Sequence, residues 1–241
     1  MPFNFWTGEG GVAGDFAYKE THLGSVIVLL LVLIIACLIG RRLSKKSQNI
    51  IIIAVSVFAL VFEIFWRILY VIRGVGWQEL YPFYPCNIAG ILVPIIALTK
   101  NKTLKEMFYI FAFIGGVITF SYPVDIFTNQ YLNFPILKSI LQHSFIIFIP
   151  VFEYFTGNYI PKLKKYYLAI IGLFVHLFNS EYLPKLLGLK NTDYIFLHSG
   201  LPFTIEGVNQ IFILAPIAFV VILIFYLFLD RDVFGKKRKR K

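Results

Sequence analysis

Apolar residues in this chain come in long unbroken runs, and the polar residues gather between them. The runs cover residues 23–40, 50–72, 84–99, 104–121, 138–156, 163–179 and 210–229. A helix needs about 20 mostly apolar residues to cross a bilayer, so the pattern predicts seven spanning helices joined by short loops. Lipid offers no partner to an open backbone N–H or C=O, which makes helices the expected form. Pro94, Pro150 and Pro216 fall inside runs and would kink or break their helices. No repeat, low-complexity tract or polar insert is long enough to fold alone. The expected architecture is an all-α, polytopic integral membrane bundle over residues 1–241, a single domain.

The loops between the runs differ in charge. Arg41, Arg42, Lys45 and Lys46 crowd the first, and Lys100, Lys102 and Lys105 the third. Lys162, Lys164 and Lys165 fill the 157–165 loop, and Arg231 with the KKRKRK run fills the tail. The intervening segments are neutral or acidic: 1–22, 73–83, 122–137 and 180–209. An excess of Lys and Arg marks cytoplasmic loops, so the alternation places the amino terminus outside and the carboxyl terminus inside.

Composition agrees, with 58% hydrophobic residues, 15% charged residues and a mean hydropathy of +0.75. An ordinary soluble domain is about a quarter charged. The net charge of +10 is therefore explained by orientation rather than by nucleic acid. The basic tail is expected to contact anionic lipids of the inner leaflet. Residues 1–22 lack a basic stretch and do not read as a signal peptide. The richness in Ile, Phe, Tyr, Lys and Asn points to an AT-rich bacterial genome, and the chain reads as a multi-pass protein of the cell membrane. Trp66, Trp77, Tyr81 and Tyr84 fall near the outer interface, as aromatic anchors do.

Candidate chemistry centres on residues 81–99, YPFYPCNIAGILVPIIALT. Pro85 suits the first helical position, where its missing N–H costs nothing. Cys86 then falls in the first turn, where open N–H groups and the helix dipole favour a thiolate. A free cysteine in an apolar helix is more often inert filling, so its neighbours decide. Glu63 and Arg67 lie one turn apart in the outer half of the second run, as an ion pair or a headgroup site. His143 lies within the fifth run, where an ionisable group faces a cavity or a partner. Cys86 and His143 at matched depth supply a nucleophile and a base for thioester chemistry on a phospholipid ester. Helix N-terminal N–H groups near Cys86 could hold the oxyanion. His176 beside Asn179 reads as a satisfied interfacial residue, and His22 and His198 read as solvated loop residues. No HxxxH or HxxE spacing supports a metal, and no cofactor is expected. Cys37 and Cys86 fall near opposite membrane faces and cannot form a disulfide.

The stretch Pro82-Phe83-Tyr84-Pro85-Cys86-Asn87-Ile88-Ala89 resembles the Pro-Leu-His-Leu-Cys-Asp-Leu-Ala segment of bacterial YwaF-type membrane proteins, relatives of the transmembrane protein 164 acyltransferase family. The likeness extends through Leu98-Thr99-Lys100-Asn101, Gly115-Gly116, Gln142-His143-Ser144 and Asn191-Thr192-Asp193-Tyr194. The resemblance implies a phospholipid acyltransferase in which a cysteine is acylated and a histidine assists, roles that fall on Cys86 and His143. Tyr84 and Asn87 stand where the family often has histidine and aspartate. Together with Glu63 and Arg67 they are candidates for binding or orienting substrate. Expected partners are membrane phospholipids and lysophospholipids, and acyl hydrolysis is the variant reaction. The alternative is a small-solute transporter or a membrane-embedded substrate-binding component, for which the in-run prolines would suit broken helices around a midplane site. A structural membrane protein without a site is the third possibility. Polar groups clustered on one side favour the enzyme.

Overall fold

The computed structural model describes residues 2–123, 126–189, 194 and 210–233. The described residues form helices α1 (Glu20–Gly40), α2 (Lys45–Ile72), α3 (Trp77–Leu80), α4 (Pro85–Thr99), α5 (Lys102–Ser121), α6 (Phe134–Thr156), α7 (Tyr166–Leu177), α8 (Leu183–Leu186) and α9 (Ile211–Leu229). One 3₁₀ turn, Leu163–Lys165, leads into α7, and a π-helical turn, Phe178–Tyr182, joins α7 to α8. Five of these helices (α1, α2, α5, α6 and α9) are long and apolar enough to cross a membrane. The other two expected spans take different forms. α4 has 15 residues, a length of about 22 Å at 1.5 Å per residue. The sixth run becomes the α7, π-turn and α8 path.

The long helices run between two ends of the bundle. At one end Gln48 reaches the Gly40 carbonyl (2.8 Å) and Lys45 the Thr156 carbonyl (2.7 Å). There too the Leu163 N–H donates to Asp230 (2.9 Å), which gathers the basic loops on one side. At the other end His22 donates to the Phe120 carbonyl (2.8 Å) and Asn179 to the Pro82 carbonyl (2.7 Å). The amino-terminal segment folds back over this second end. Phe16 N–H donates to Phe127 O (2.8 Å), Gln130 N–H to Val12 O (3.0 Å) and Phe134 N–H to Phe5 O (2.8 Å). Glycine is required at position 8, where φ is +80° and a Cβ would sit 2.5 Å from the Asn133 amide nitrogen.

α4 is the packed centre, lying against α2, α5 and α6. Ala89, Gly90 and Ala97 let the neighbouring backbones approach, and Val93 and Ile96 fill the core with Ile52, Phe108 and Ile149. A second core joins α5, α7 and α9 through Ile110, Ile170, Leu173 and Ile222. By contrast, Ile27, Val28, Leu31, Ile34 and Ile35 of α1 stand exposed. An apolar surface of that extent is covered by lipid in a membrane protein.

The structure moves several expected boundaries outward. Ser44 caps α2 by accepting the Ser47 N–H, so that helix begins at Lys45. Asn133 caps α6 in the same way, accepting the Ile136 N–H (3.0 Å). α6 therefore starts at Phe134, and Lys138 lies inside the helix instead of opening it. Trp66 is not an interfacial anchor: it is 1% exposed and donates its indole N–H to Glu63. Trp77 and Tyr81 do stand exposed.

Candidate functional site

Cys86 stands where a turn becomes a helix. Tyr84 is extended, Pro85 opens α4 as expected, and Cys86 follows in the first turn, half-buried with a free thiol. Its thiol faces Asn87 Oδ1 at 4.0 Å, while the Asn87 N–H donates to the Tyr84 carbonyl (2.9 Å). The loop ahead of it is held from two sides. Arg67 donates through Nε to the Leu80 carbonyl (3.1 Å). The π-helical turn supplies the other side, with Asn179 donating to Pro82 and the Ser180 hydroxyl donating to the Phe83 carbonyl. Such a turn widens the helix by one residue and is common at functional sites. Tyr194 stacks on Phe83 at 4.8 Å and meets Tyr84 edge-on at 5.0 Å.

Three helices meet behind the cysteine. Glu63 of α2 is buried and accepts from Trp66 Nε1 (3.0 Å) and from Arg67, so the expected ion pair is present. Gln142 of α6 donates from one amide nitrogen to Asn87 Oδ1 (2.9 Å) and to the Cys86 carbonyl (3.2 Å). Gly90 of α4 makes room for both: a Cβ there would lie 2.8 Å from Glu63 Oε1 and 2.8 Å from Gln142 Nε2. Lys138 lies four residues before Gln142 and so on the same face of α6. Its ammonium stands 4.2 Å from the centre of a Trp66 ring, and its electrostatic neighbours are Cys86, Glu63, Arg67 and Glu79. The Arg67 guanidinium lies 4.1 Å from a Trp66 ring centre. Sequence reading passed over Lys138 because a charge next to an apolar run looks like its border.

His143 belongs to the neighbouring face. It is 3% exposed, and its Nδ1–H donates to the Ser139 carbonyl (2.7 Å), one turn back. Its Nε2 is buried without a hydrogen-bond partner among the described residues. The ring lines a crevice with Thr119, Phe120, Ile126 and Phe127 that is too narrow for a water. Among the described residues no hydrogen bond joins His143 to Cys86; Gln142, one residue earlier, makes the contact to the start of α4 instead.

A model of the TMEM164 family matches residues 17–230. The chain belongs to the TMEM164 family. No curated protein and no solved structure matches it. For this member of the family, the match and the apolar helices together make a multi-pass membrane protein.

Two histidine expectations are corrected. His22 is 1% exposed rather than solvated: Tyr18 N–H donates to its Nδ1 (2.9 Å) and its Nε2–H donates to Phe120 O, which ties the amino-terminal segment to α5. His176 is buried but not satisfied, since neither ring nitrogen has a hydrogen-bond partner among the described residues and the ring stacks on Phe111 at 4.5 Å. His198, residues 191–193 and the basic run 236–241 lie outside the described residues.

The polar inventory is not one-sided. At the opposite end Lys105 donates to both Glu153 oxygens (2.7 and 2.6 Å). Beside it Glu106 accepts from the hydroxyls of Tyr159 (3.0 Å) and Tyr226 (2.9 Å). Lys105 read as a loop residue, but it lies within α5 and is buried. Among the described residues no group of three or more His, Cys, Asp or Glu side chains could hold a metal.

Proposed function

We propose that the protein is a membrane-embedded acyltransferase in which Cys86 is acylated by a membrane phospholipid. The observation that carries this reading is the placement of Cys86. It opens a 15-residue helix shorter than a hydrocarbon core of about 30 Å, so that its first turn sits below the membrane face, with the Asn87 amide oxygen at its thiol and a buried polar cluster behind it. The charge alternation of the loops supports seven crossings in the cell membrane, with the amino terminus and Cys86 outside and the basic tail against the inner leaflet.

In the reaction, the Cys86 thiol proton passes to His143 Nε2 and the thiolate attacks an acyl ester carbonyl. The Cys86 N–H, the first after Pro85 in α4, stabilises the oxyanion, since the Asn87 and Ile88 N–H groups already donate to the Tyr84 carbonyl. The tetrahedral adduct collapses by breaking the ester C–O bond, and the lysophospholipid alkoxide leaves with the proton from His143. A hydroxyl of a second lysophospholipid then attacks the thioester, giving its proton to the base and restoring the thiol; attack by water is hydrolysis. Proton transfer requires the His143 ring to leave Ser139 and swing toward α4. Glu63, Arg67, Tyr84 and Asn87 bind or orient the substrate in this scheme.

Purified protein in vesicles of labelled phospholipid should carry an acyl mass on Cys86 and release labelled lysophospholipid. Cys86→Ala and Cys86→Ser should lose transfer, because a serine hydroxyl is far harder to ionise than a thiol. His143→Ala should leave a slower enzyme whose residual rate rises with pH, as hydroxide then makes thiolate unaided. Full activity in Cys86→Ala would remove the acyl-enzyme. A transporter would then be the better reading, which the second buried charge cluster around Lys105, Glu106 and Glu153 favours.

A further inference from the structure

We propose that Lys138 and Arg67, gathered around Trp66 beside Cys86, bind the phosphodiester of a phospholipid headgroup. Charge carries the first half of this. The cluster holds two cations and one buried carboxylate, Glu63, whose Oε2 accepts from both Arg67 Nη1 and Trp66 Nε1. Glu79 is exposed at the rim and forms no ion pair with Lys138 within 4.0 Å. Among the described residues the Lys138 ammonium has no hydrogen bond to protein, only the Trp66 ring. An unpaired cation inside a spanning helix is costly, and one more negative charge removes the cost.

Donor geometry carries the second half. Arg67 Nη2 is buried and has no hydrogen-bond partner among the described residues, although Nε and Nη1 are both used. A guanidinium presents its N–H groups as a fixed fork that suits phosphate oxygens, and an ammonium adds a point charge with three further donors. The stacking of both cations on Trp66 holds them in place without consuming a donor.

Position selects the source of the phosphate. Gln142, one turn after Lys138 on the same face of α6, donates to the Cys86 carbonyl (3.2 Å), which puts Lys138 on the Cys86 side of that helix. In a glycerophospholipid only the glycerol backbone separates the phosphate from the acyl esters. A headgroup seated on Lys138 and Arg67 therefore brings an ester carbonyl toward Sγ, which neither a neutral glyceride nor a free phosphate ester does. The inference deepens the acyl-transfer reading by naming the headgroup chemistry, but it is tested by binding alone, without turnover.

The experiment uses the full chain with Cys86→Ala in neutral detergent and native mass spectrometry. The probes are a phosphatidylcholine, the diacylglycerol with the same chains, the matching free fatty acid, glycerophosphocholine and inorganic phosphate. The phosphatidylcholine should bind at least tenfold more tightly than the other four probes. Lys138→Gln should erase that preference while leaving diacylglycerol binding unchanged, and Lys138→Arg should keep most of it. Equal binding of phosphatidylcholine and diacylglycerol would overturn the proposal, and so would an unaltered preference in Lys138→Gln. Inorganic phosphate or glycerophosphocholine binding as tightly as the lipid would overturn the lipid source, and fatty acid binding as tightly would overturn the phosphate. The comparison among probes needs no Lys138 variant, so a misfolded Lys138→Gln leaves the proposal open to refutation. Loss of acyl chemistry in other assays would leave this readout untouched.

Discussion

Glu63 accounts for most of the local order around Cys86. Its carboxylate takes the Trp66 indole N–H and the Arg67 guanidinium, and Arg67 in turn holds the Leu80 carbonyl ahead of α4. Removing one partner of a buried pair leaves the other charge uncompensated, which costs about 3–5 kcal/mol. Glu63→Ala should therefore lower the melting temperature in detergent markedly. Glu63→Gln keeps an acceptor for Trp66 and should lose less. Equal melting of Glu63→Ala and wild type would show that Arg67 finds another partner. The Glu63–Arg67 pair was legible in the sequence because i,i+4 spacing on a helix brings side chains together whatever the fold. Lys138 and Trp66 were not, since their burial depends on where α6 and α2 cross.

At the scale of elements, the site depends on a π-helical turn and on one close helix pair. Asn179 and Ser180 reach the Pro82 and Phe83 carbonyls from that turn, so α7 sets the position of the loop that delivers Cys86. α7 is itself seated against α5 at Gly172, where an added Cβ would run into the Met107 backbone carbonyl. Backbone cannot step aside as a side chain can, so Gly172→Ala should cost about 1–3 kcal/mol through overpacking. It should also speed alkylation of Cys86 by loosening the Pro82–Phe83 clamp. Unchanged melting and unchanged alkylation would separate α7 from the site. No periodicity in the sequence announces a π turn, because its extra residue is fixed by the contacts it makes.

The whole molecule gathers its basic loops at one end. Lys45, Lys105 and Lys162 lie at one end, whereas Cys86 lies with His22, Asn179 and the folded-back amino-terminal segment at the other. If the basic end faces the cytoplasm, then in a background lacking Cys37 and Cys86 a cysteine at Ser44 or Lys162 should be shielded from impermeant thiol reagents in intact cells. A cysteine at exposed Gln130 should label. Asn129 would be a poor choice, since it is buried against the Gly8 carbonyl (3.0 Å). Labelling at position 162 from outside would invert the orientation and move Cys86 to the inner leaflet.

By itself the sequence determined the helical class, the five long apolar helices and the start of α4 at Pro85. It also determined that Cys37 and Cys86 stay apart, as the two free thiols agree. These follow from chain-local physics: apolar length, the missing proline N–H and i,i+4 spacing. Only the tertiary structure decided which polar residues meet. It set Gln142 and Lys138 toward Cys86 and His143 toward α5, although these residues are near neighbours in sequence. The reason is rotational. Successive residues on a helix point about 100° apart, so the facing set depends on how α6 is turned against α4, and that is fixed by packing around Gly90.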